Sequence, residues 1–491
     1  MEFGTNVFPV AGPAEKSAHR PDGGLHDAPA RREPGLRFMI SRLSRAPSDG
    51  DAEVPVAGGG PLGVLPEFRR DPLALLRRAV GIGDVVLLPM GSPRFFIRAY
   101  VVSSPRGIEQ VLATKGRVYR KSFTNLPARS IFGLGLLTSD GPSWVEQRRI
   151  LRPVFQRDRV DRLDSAVTTT CDELVNRWRA AARAEKVVDL GAEMASLSLQ
   201  ILLRSTFGHD LSIAAMNEIA AVFPVLSQQS WRRTISLSWW CFPRLAAGMP
   251  TPSNVGFQRA RRRLDAIVRD LSAASSPGDD ASLLSILKAA KNNDRPLSDE
   301  LIRDEIVTFL IAGHETTASS LTWALYLLAR NPEVWDRLHA QASATGRGSG
   351  LARAVVMESL RMYPPAWSIV RDAAQDDDID GVHIPAGSVI ITSPYATQRD
   401  PRFWERPDEF HPERFEQGPG KAEWDPRAYF PFGAGMRHCV GEHLAMRQAV
   451  DVIARIAATF RPVLCDEAPV HPVPAVTLRQ SRTVLARLRE V

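Results

Sequence analysis

The segment Phe432-Gly433-Ala434-Gly435-Met436-Arg437-His438-Cys439-Val440-Gly441 sets one cysteine behind two glycines and ahead of a helical stretch. Glycine frees the backbone to turn N–H groups toward a sulfur. Those groups, the N-terminus of the following helix and the nearby Arg437 guanidinium all favour a thiolate. A thiolate held in this way is what a strong axial iron ligand needs. Gly441 removes a side chain where a flat cofactor would press on the helix. Two other readings compete. A lone cysteine is more often a small buried hydrophobe, which is the reading for Cys171, Cys241 and Cys465. Zinc would need four ligands at characteristic spacing. His438 and His443 are close by, but no second Cys or His pair completes a set, so both read as surface or packing histidines.

Three further groupings carry charge or polarity in suggestive places. Glu358 and Arg361 stand at i,i+3 on one helix face, which alone is an ordinary surface pair worth a few tenths of a kcal/mol. Met362-Tyr363-Pro364-Pro365 then ends that helix. Ala312-Gly313-His314-Glu315-Thr316-Thr317 puts an acid and two threonines in the centre of a long helical pattern. Threonine there can bond back to the carbonyl one turn earlier and bend the helix, and Gly313 weakens it. Trp144 and Arg148 lie one turn apart, with Arg149 and Arg152 as competing cations.

The elements that must position these groups are legible from periodicity. Val85–Leu88 and Phe95–Val102 read as strands around a Gly-Ser-Pro turn. Helical stretches follow at about Asp161–Arg183, Leu190–Phe207 and Asn254–Ala273. From Asp299 to Ala329 the apolar positions keep the helical period, and Asn331-Pro332 stops it. Short strands are expected at Val382–Ile384 and Val389–Thr392, and a last helix from about Gly441 to Phe460. The expected order is a small β-region, a large helical body, a second small β-region and the cysteine loop, with no linker after Pro61. We therefore expect one domain over 61–491. Residues 1–60, rich in Gly and Pro, read as a flexible leader in which Leu36–Leu43 is basic and apolar enough for an interfacial helix.

Composition narrows the function. The chain has 491 residues, 44% hydrophobic and 24% charged, which is ordinary for a globular protein. No uncharged apolar run approaches the ~20 residues of a membrane span, so no transmembrane anchor is expected. Nor does the N-terminus read as a secretory signal. Four cysteines do not make a disulfide framework and point to a reducing compartment. The net charge of +7 suits an acidic protein partner and is too small to argue for nucleic acid.

The cysteine loop resembles that of the cytochrome P-450 haem-thiolate monooxygenases, in which Phe, Gly, Arg, Cys and Gly recur at this spacing. Phe432, Gly435, Arg437, Cys439 and Gly441 fill every position. The resemblance runs from about Gly63 to Leu488. It implies a mainly α fold with small β-regions (α+β), the haem lying between the long central helix and the cysteine loop. It makes Cys439 the axial ligand of a haem b iron, with Phe432 packed near the sulfur. Trp144, Arg148, Arg371 and Arg437 would reach the haem propionates. Glu358, Arg361 and Arg414, the last from Pro412-Glu413-Arg414-Phe415, would form a structural triad holding the loop.

In this family the Ala312–Thr316 segment is an oxygen-binding groove. Glu315 and Thr316 would be catalytic, carrying protons by way of water, while His314 has no assigned role. Ala312, Ala366, Ser368 and Ile369 would line the distal pocket, under a roof at Trp231–Phe242. Gln398 stands where histidine is usual, and only local packing is expected to change. The implied activity inserts one atom of dioxygen into an apolar small molecule of the terpenoid, fatty acyl or polyketide class. This would be an oxidoreductase of specialised metabolism in the cytoplasm. Its electrons would come from a separate ferredoxin or flavodoxin with its NAD(P)H-dependent reductase. A peroxide-driven peroxygenase and a non-catalytic haem-binding protein are the alternatives on the same fold.

Overall fold

The computed structural model describes residues 54–491 except 59, 93–94, 156–159, 209, 274–281, 293–294, 346–349 and 417–423. Most of the expected leader, including Leu36–Leu43, lies outside the described residues. Val54 and Ala57 are buried, and Val56 bridges to Leu87. Packing thus begins slightly ahead of Pro61.

Continuous apolar runs with β-branched and aromatic residues make β1 (Val85–Ser92) and β2 (Phe95–Val102) an antiparallel pair. They join β3 (Tyr119–Lys121), β4 (Ile369–Ala373) and β5 (Val389–Thr392) in one sheet of order β1-β2-β5-β4-β3. The register sets Lys121 directly opposite Arg371.

The helical body carries α1 (Gly141–Leu151), α2 (Val160–Arg183), α3 (Leu190–Leu202), α4 (Ile213–Thr234) and α5 (Leu237–Cys241). After these come α6 (Pro252–Ala273), α7 (Asp299–Arg330), α8 (Pro332–Thr345), α9 (Gly350–Met362) and α10 (Glu442–Thr459). The helix expected to run on to Phe207 changes to a wider turn over Leu203–Phe207. The internal Pro224 hides α4 from a periodicity reading, since proline argues against a helix interior.

The 32-residue α7 is the axis of the molecule, roughly 48 Å long. Ser298 caps its start by accepting from Leu301 N (3.2 Å), and Asp299 and Glu300 suit that positive end. It packs against α3 so closely that a Cβ on Gly313 would lie 2.8 Å from Leu202 Cδ1. A side chain at Gly313 would therefore have to displace the Leu202 side chain at the helix crossing. A hairpin of β6 (Pro472–Pro474) and β7 (Leu478–Gln480) closes over the middle of α7. None of the described helices is long and apolar enough to cross a membrane.

Candidate active site

The cysteine loop is built by close approach. Gly435 has φ +65°, and a Cβ there would lie 2.1 Å from the Leu112 carbonyl oxygen, so no other residue fits without displacing backbone. Cys439 N donates to Phe432 O (3.0 Å) and closes the loop. Phe432 joins the main apolar cluster beside α10. A Cβ on Gly441 would make ordinary contact with Phe155, 3.9 Å away.

Protein surrounds Cys439 on all sides, yet the residue is solvent-accessible. Its sulfur therefore faces an internal space. Burial pushes the thiol up, and the Glu442 carboxylate adds to this. The N–H groups of Gly441 and Glu442 and the Arg148 guanidinium pull it down without winning. The cation acting on the sulfur is Arg148, where the sequence pointed to Arg437. Arg148 donates twice to His438 O (3.1 Å each), bracing the loop from α1. A coordinated metal cation is what would make this buried sulfur a thiolate outright. No group of three or more His, Cys, Asp or Glu able to hold a free metal ion occurs among the described residues.

Arg437 pairs with Asp140, the N-cap of α1, and lies 4.3 Å over the Trp144 ring. Arg148 approaches the same ring at 5.5 Å. Arg371 is buried, donates to Val370 O (3.0 Å), and is brought down to about 10 by burial and then by Arg437. Lys121, opposite it, is held well below the usual ammonium range by burial, then by Arg371 and Arg437. Like charges placed opposite each other on a sheet repel, and Asp140 is the acid that balances this cluster. A cradle with more cations than anions fits the two carboxylates of a haem. Sequence reasoning missed Lys121. The only signal was a basic residue ending a three-residue strand.

The opposing wall is α7. From residue 305 to 328 every residue is buried except Ala312, Gly313 and Thr316, which share one face. Thr316 Oγ1 donates to Ala312 O (2.6 Å), and Thr317 Oγ1 to Gly313 O (3.0 Å). Glu315 points elsewhere. Its carboxylate is buried and bound by Arg479 from β7, whose Nε donates to Oε1 at 2.7 Å. No direct hydrogen bond joins Glu315 to Thr316 among the described residues. Burial pushes Glu315 up while Arg479 pulls it down. His314 is buried with both ring nitrogens unpartnered. Burial, then Arg479, lowers it to about 4, so it is neutral.

Of the expected pocket residues, Ala366 is exposed between buried Pro365 and Trp367, and Ser368 and Ile369 are half-buried. Ile369 Cδ1 lies 3.5 Å from where a Gly433 Cβ would be, so this segment borders the cysteine loop. In the expected roof, Trp231 meets Trp367 edge-on at 5.4 Å and Trp240 meets Phe123 at 5.2 Å. Phe242 is exposed.

The triad is in place, with Glu358 and Arg361 fully buried and Arg414 half-buried. Glu358 receives Arg361 Nε (2.7 Å), Arg361 Nη2 (3.0 Å), Arg414 Nε (3.3 Å) and His411 N (2.9 Å). Gln398 does more than fill space. Its Nε2 donates to Leu360 O and Arg361 O, and its Oε1 accepts from Phe430 N (3.0 Å), tying the end of α9 to the entrance of the cysteine loop. A glutamine amide can do this because it both donates and accepts.

Residues 82–485 match the family described as cytochrome P-450. The chain belongs to the cytochrome P-450 family. It is 32% identical over 460 residues to cyclooctatin synthase of Streptomyces melanosporofaciens, covering 90% of this chain and 97% of that one. It is 30% identical to pentalenene oxygenase of Streptomyces avermitilis, covering 88% and 97%. A cytochrome P-450 crystal structure from Thermus thermophillus superposes with TM-score 0.70 at 29% identity, covering 87% and 97%. A second, at 24% identity and TM-score 0.74, shares the fold, covering 89% and 99%.

As a cytochrome P-450 monooxygenase, the protein is a haem-iron oxidoreductase that uses dioxygen and electrons from a redox partner. When bound, the haem supplies the activation of dioxygen. Cys439 would hold its iron, and Lys121, Arg371 and Arg437 could neutralise its carboxylates.

Proposed function

We propose that this cytochrome P-450 binds haem b through Cys439 and inserts one oxygen atom into a C–H or C=C bond of an apolar terpenoid. The observation that carries this is the single opening on α7. Ala312, Gly313 and Thr316 alone break its buried middle, and of the other lining candidates Ala366 and Ile369 are apolar and Ser368 is the one small polar group. Such a surface orders a hydrocarbon by shape and excludes water. The terpenoid class is favoured because relatives covering most of the chain are named for pentalenene and for cyclooctat-9-en-7-ol. Fatty acyl and polyketide substrates have no such support.

Within this reading, Trp144 and Arg148 brace the cysteine loop while Arg371, Arg437 and Lys121 neutralise the propionates. Phe432 and Gly441 shape the surface around the sulfur. Glu358, Arg361 and Arg414 hold the scaffold and take no part in chemistry. Thr316 holds the last donor before dioxygen, and Glu315 passes protons to it through water. Residues 61–491 act as one catalytic domain behind the 1–60 leader. A separate cytoplasmic ferredoxin or flavodoxin and its NAD(P)H-dependent reductase deliver electrons, and the net positive charge suits such an acidic carrier.

The test is a titration of purified haem-loaded protein with cyclic terpene hydrocarbons, a long-chain fatty acid and a macrolactone, followed by absorption of the haem. A saturable shift with the terpenes, and an oxygenated product on turnover, is expected. A shift with the fatty acid or the macrolactone alone would reject the substrate class.

A further inference from the structure

The β6–β7 hairpin is fastened to the centre of α7 and to the segment between α9 and β4. Ser319 Oγ donates to Leu478 O (2.8 Å), Leu478 N to Pro365 O (2.9 Å), and Trp367 Nε1 to Ala475 O (3.0 Å). This fixes the backbone immediately ahead of Arg479, whose guanidinium also lies 5.6 Å from the Phe223 ring of α4. The arginine keeps about a quarter of its side-chain surface (27%), whereas Glu315 is nearly enclosed.

The pairing is one-sided. Nε and Nη2 of Arg479 both donate to Oε1 of Glu315. Oε2 is buried and has no hydrogen-bond partner. A bidentate arginine would occupy both oxygens; this one leaves Oε2 facing only the Thr477 hydroxyl, one residue before Thr316. The groups around the carboxylate are Arg479 on β7, the Thr477 hydroxyl on the same hairpin and the neutral His314 on α7. The Phe223 ring of α4 adds apolar surface beside the Arg479 guanidinium. A carboxylate enclosed in this way and deprived of its cation would take up a proton and keep it. It would then be a donor that cannot be reloaded.

We propose that Arg479 is the positioning residue for proton delivery: by holding Glu315 through Oε1 alone, it keeps Oε2 free to accept a proton and pass it toward Thr316. The inference rests on the relay reading of Glu315 and Thr316 given above. In each cycle Oε2 gains one proton from water and releases one, so the carboxylate is regenerated and no electrons move at Glu315. Arg479 touches neither substrate nor haem in this role and acts through Glu315.

The test uses full-length, haem-loaded protein. In infrared spectra at neutral pH, a protonated-carboxyl C=O band that appears in Arg479→Gln is assigned to Glu315 by its absence from the Arg479→Gln/Glu315→Gln double variant. The wild type should lack that band, Arg479→Gln should gain it, and Arg479→Lys should lack it again. Hydrogen peroxide released per NADPH oxidised is measured with a plant-type ferredoxin pair and a cyclic terpene hydrocarbon as probe. Arg479→Gln should raise it several-fold, with no further rise when Glu315→Gln is already present. Reduced carbonyl spectra check that each variant holds haem, and Arg479→Met replaces Arg479→Gln if that variant folds poorly. No new band in Arg479→Gln, or an equal peroxide rise in the Glu315→Gln background, would overturn the inference. If the band appears but neither Glu315→Gln nor Thr316→Ala releases extra peroxide, the relay reading is what fails, and the inference falls with it.

Discussion

Replacing Glu358 with alanine should collapse the scaffold around the haem site without touching the chemistry. Glu358 and Arg361 are fully buried, and the carboxylate receives two bonds from Arg361, one from Arg414 and one from His411 N. Arg361 cannot turn away to water. Its remaining hydrogens are committed to the carbonyls of Gln398 (2.6 Å), Pro407 (2.7 Å) and Glu409 (3.2 Å). Its charge would stay buried with no anion, facing only carbonyl dipoles and the Trp404 ring 5.3 Å away, which costs about 3–5 kcal/mol. Against a total stability of about 5–15 kcal/mol, that is roughly two to four powers of ten in the folded fraction. The assay is the urea midpoint together with haem bound per chain. Glu358→Ala should lower both sharply. Glu358→Gln, which keeps an acceptor for His411 N and one arginine hydrogen, should lower them less. A Glu358→Ala protein with a wild-type midpoint and full haem, merely turning over more slowly, would refute the structural assignment.

Gly435→Ala should fail to hold haem, because its Cβ would meet the Leu112 carbonyl at 2.1 Å in a left-handed backbone; haem content measures this. Thr316→Ala should still bind substrate and consume reductant while releasing electrons as hydrogen peroxide, and Thr317→Ala much less so; product formed per NADPH oxidised reads the difference. Glu305 is pushed up to about 8, mainly by burial and also by Asp304, against one N–H bond from Leu136. The folded chain therefore binds its proton more tightly than the unfolded chain does. This stability is present below the ordinary carboxyl range and is lost as pH rises through about 8. Urea midpoints should fall over that window in the wild type and fall less in Glu305→Gln.

The parts legible in the sequence are those whose signal is local. The spacing Phe432, Gly435, Arg437, Cys439, Gly441 and the pair Glu358–Arg361 are each contained within one turn or loop, and α7 announces itself by more than eight turns of apolar period. The parts that were not legible depend on pairing across the chain. Arg479 is a lone basic residue on a three-residue strand, and its meaning comes from Glu315, 164 positions away. Lys121 matters because β3 lies against β4 and sets it opposite Arg371. Gln398 looked like a packing substitution because its three bonds reach α9 and the cysteine loop from outside both. Glu315 itself was placed correctly on the helix, but its side chain turns to the hairpin and makes no hydrogen bond to Thr316.

The central claim is that Cys439 is the axial ligand, and the absorption spectrum of the reduced, carbon-monoxide-bound protein tests it most directly. The wild type should show the long-wavelength Soret band of a thiolate-ligated haem. Cys439→His, which keeps the same cavity and cation cradle, should bind some haem and move the band to shorter wavelength. A wild-type band at the histidine-ligated position, or an unshifted band in Cys439→His, would contradict the account.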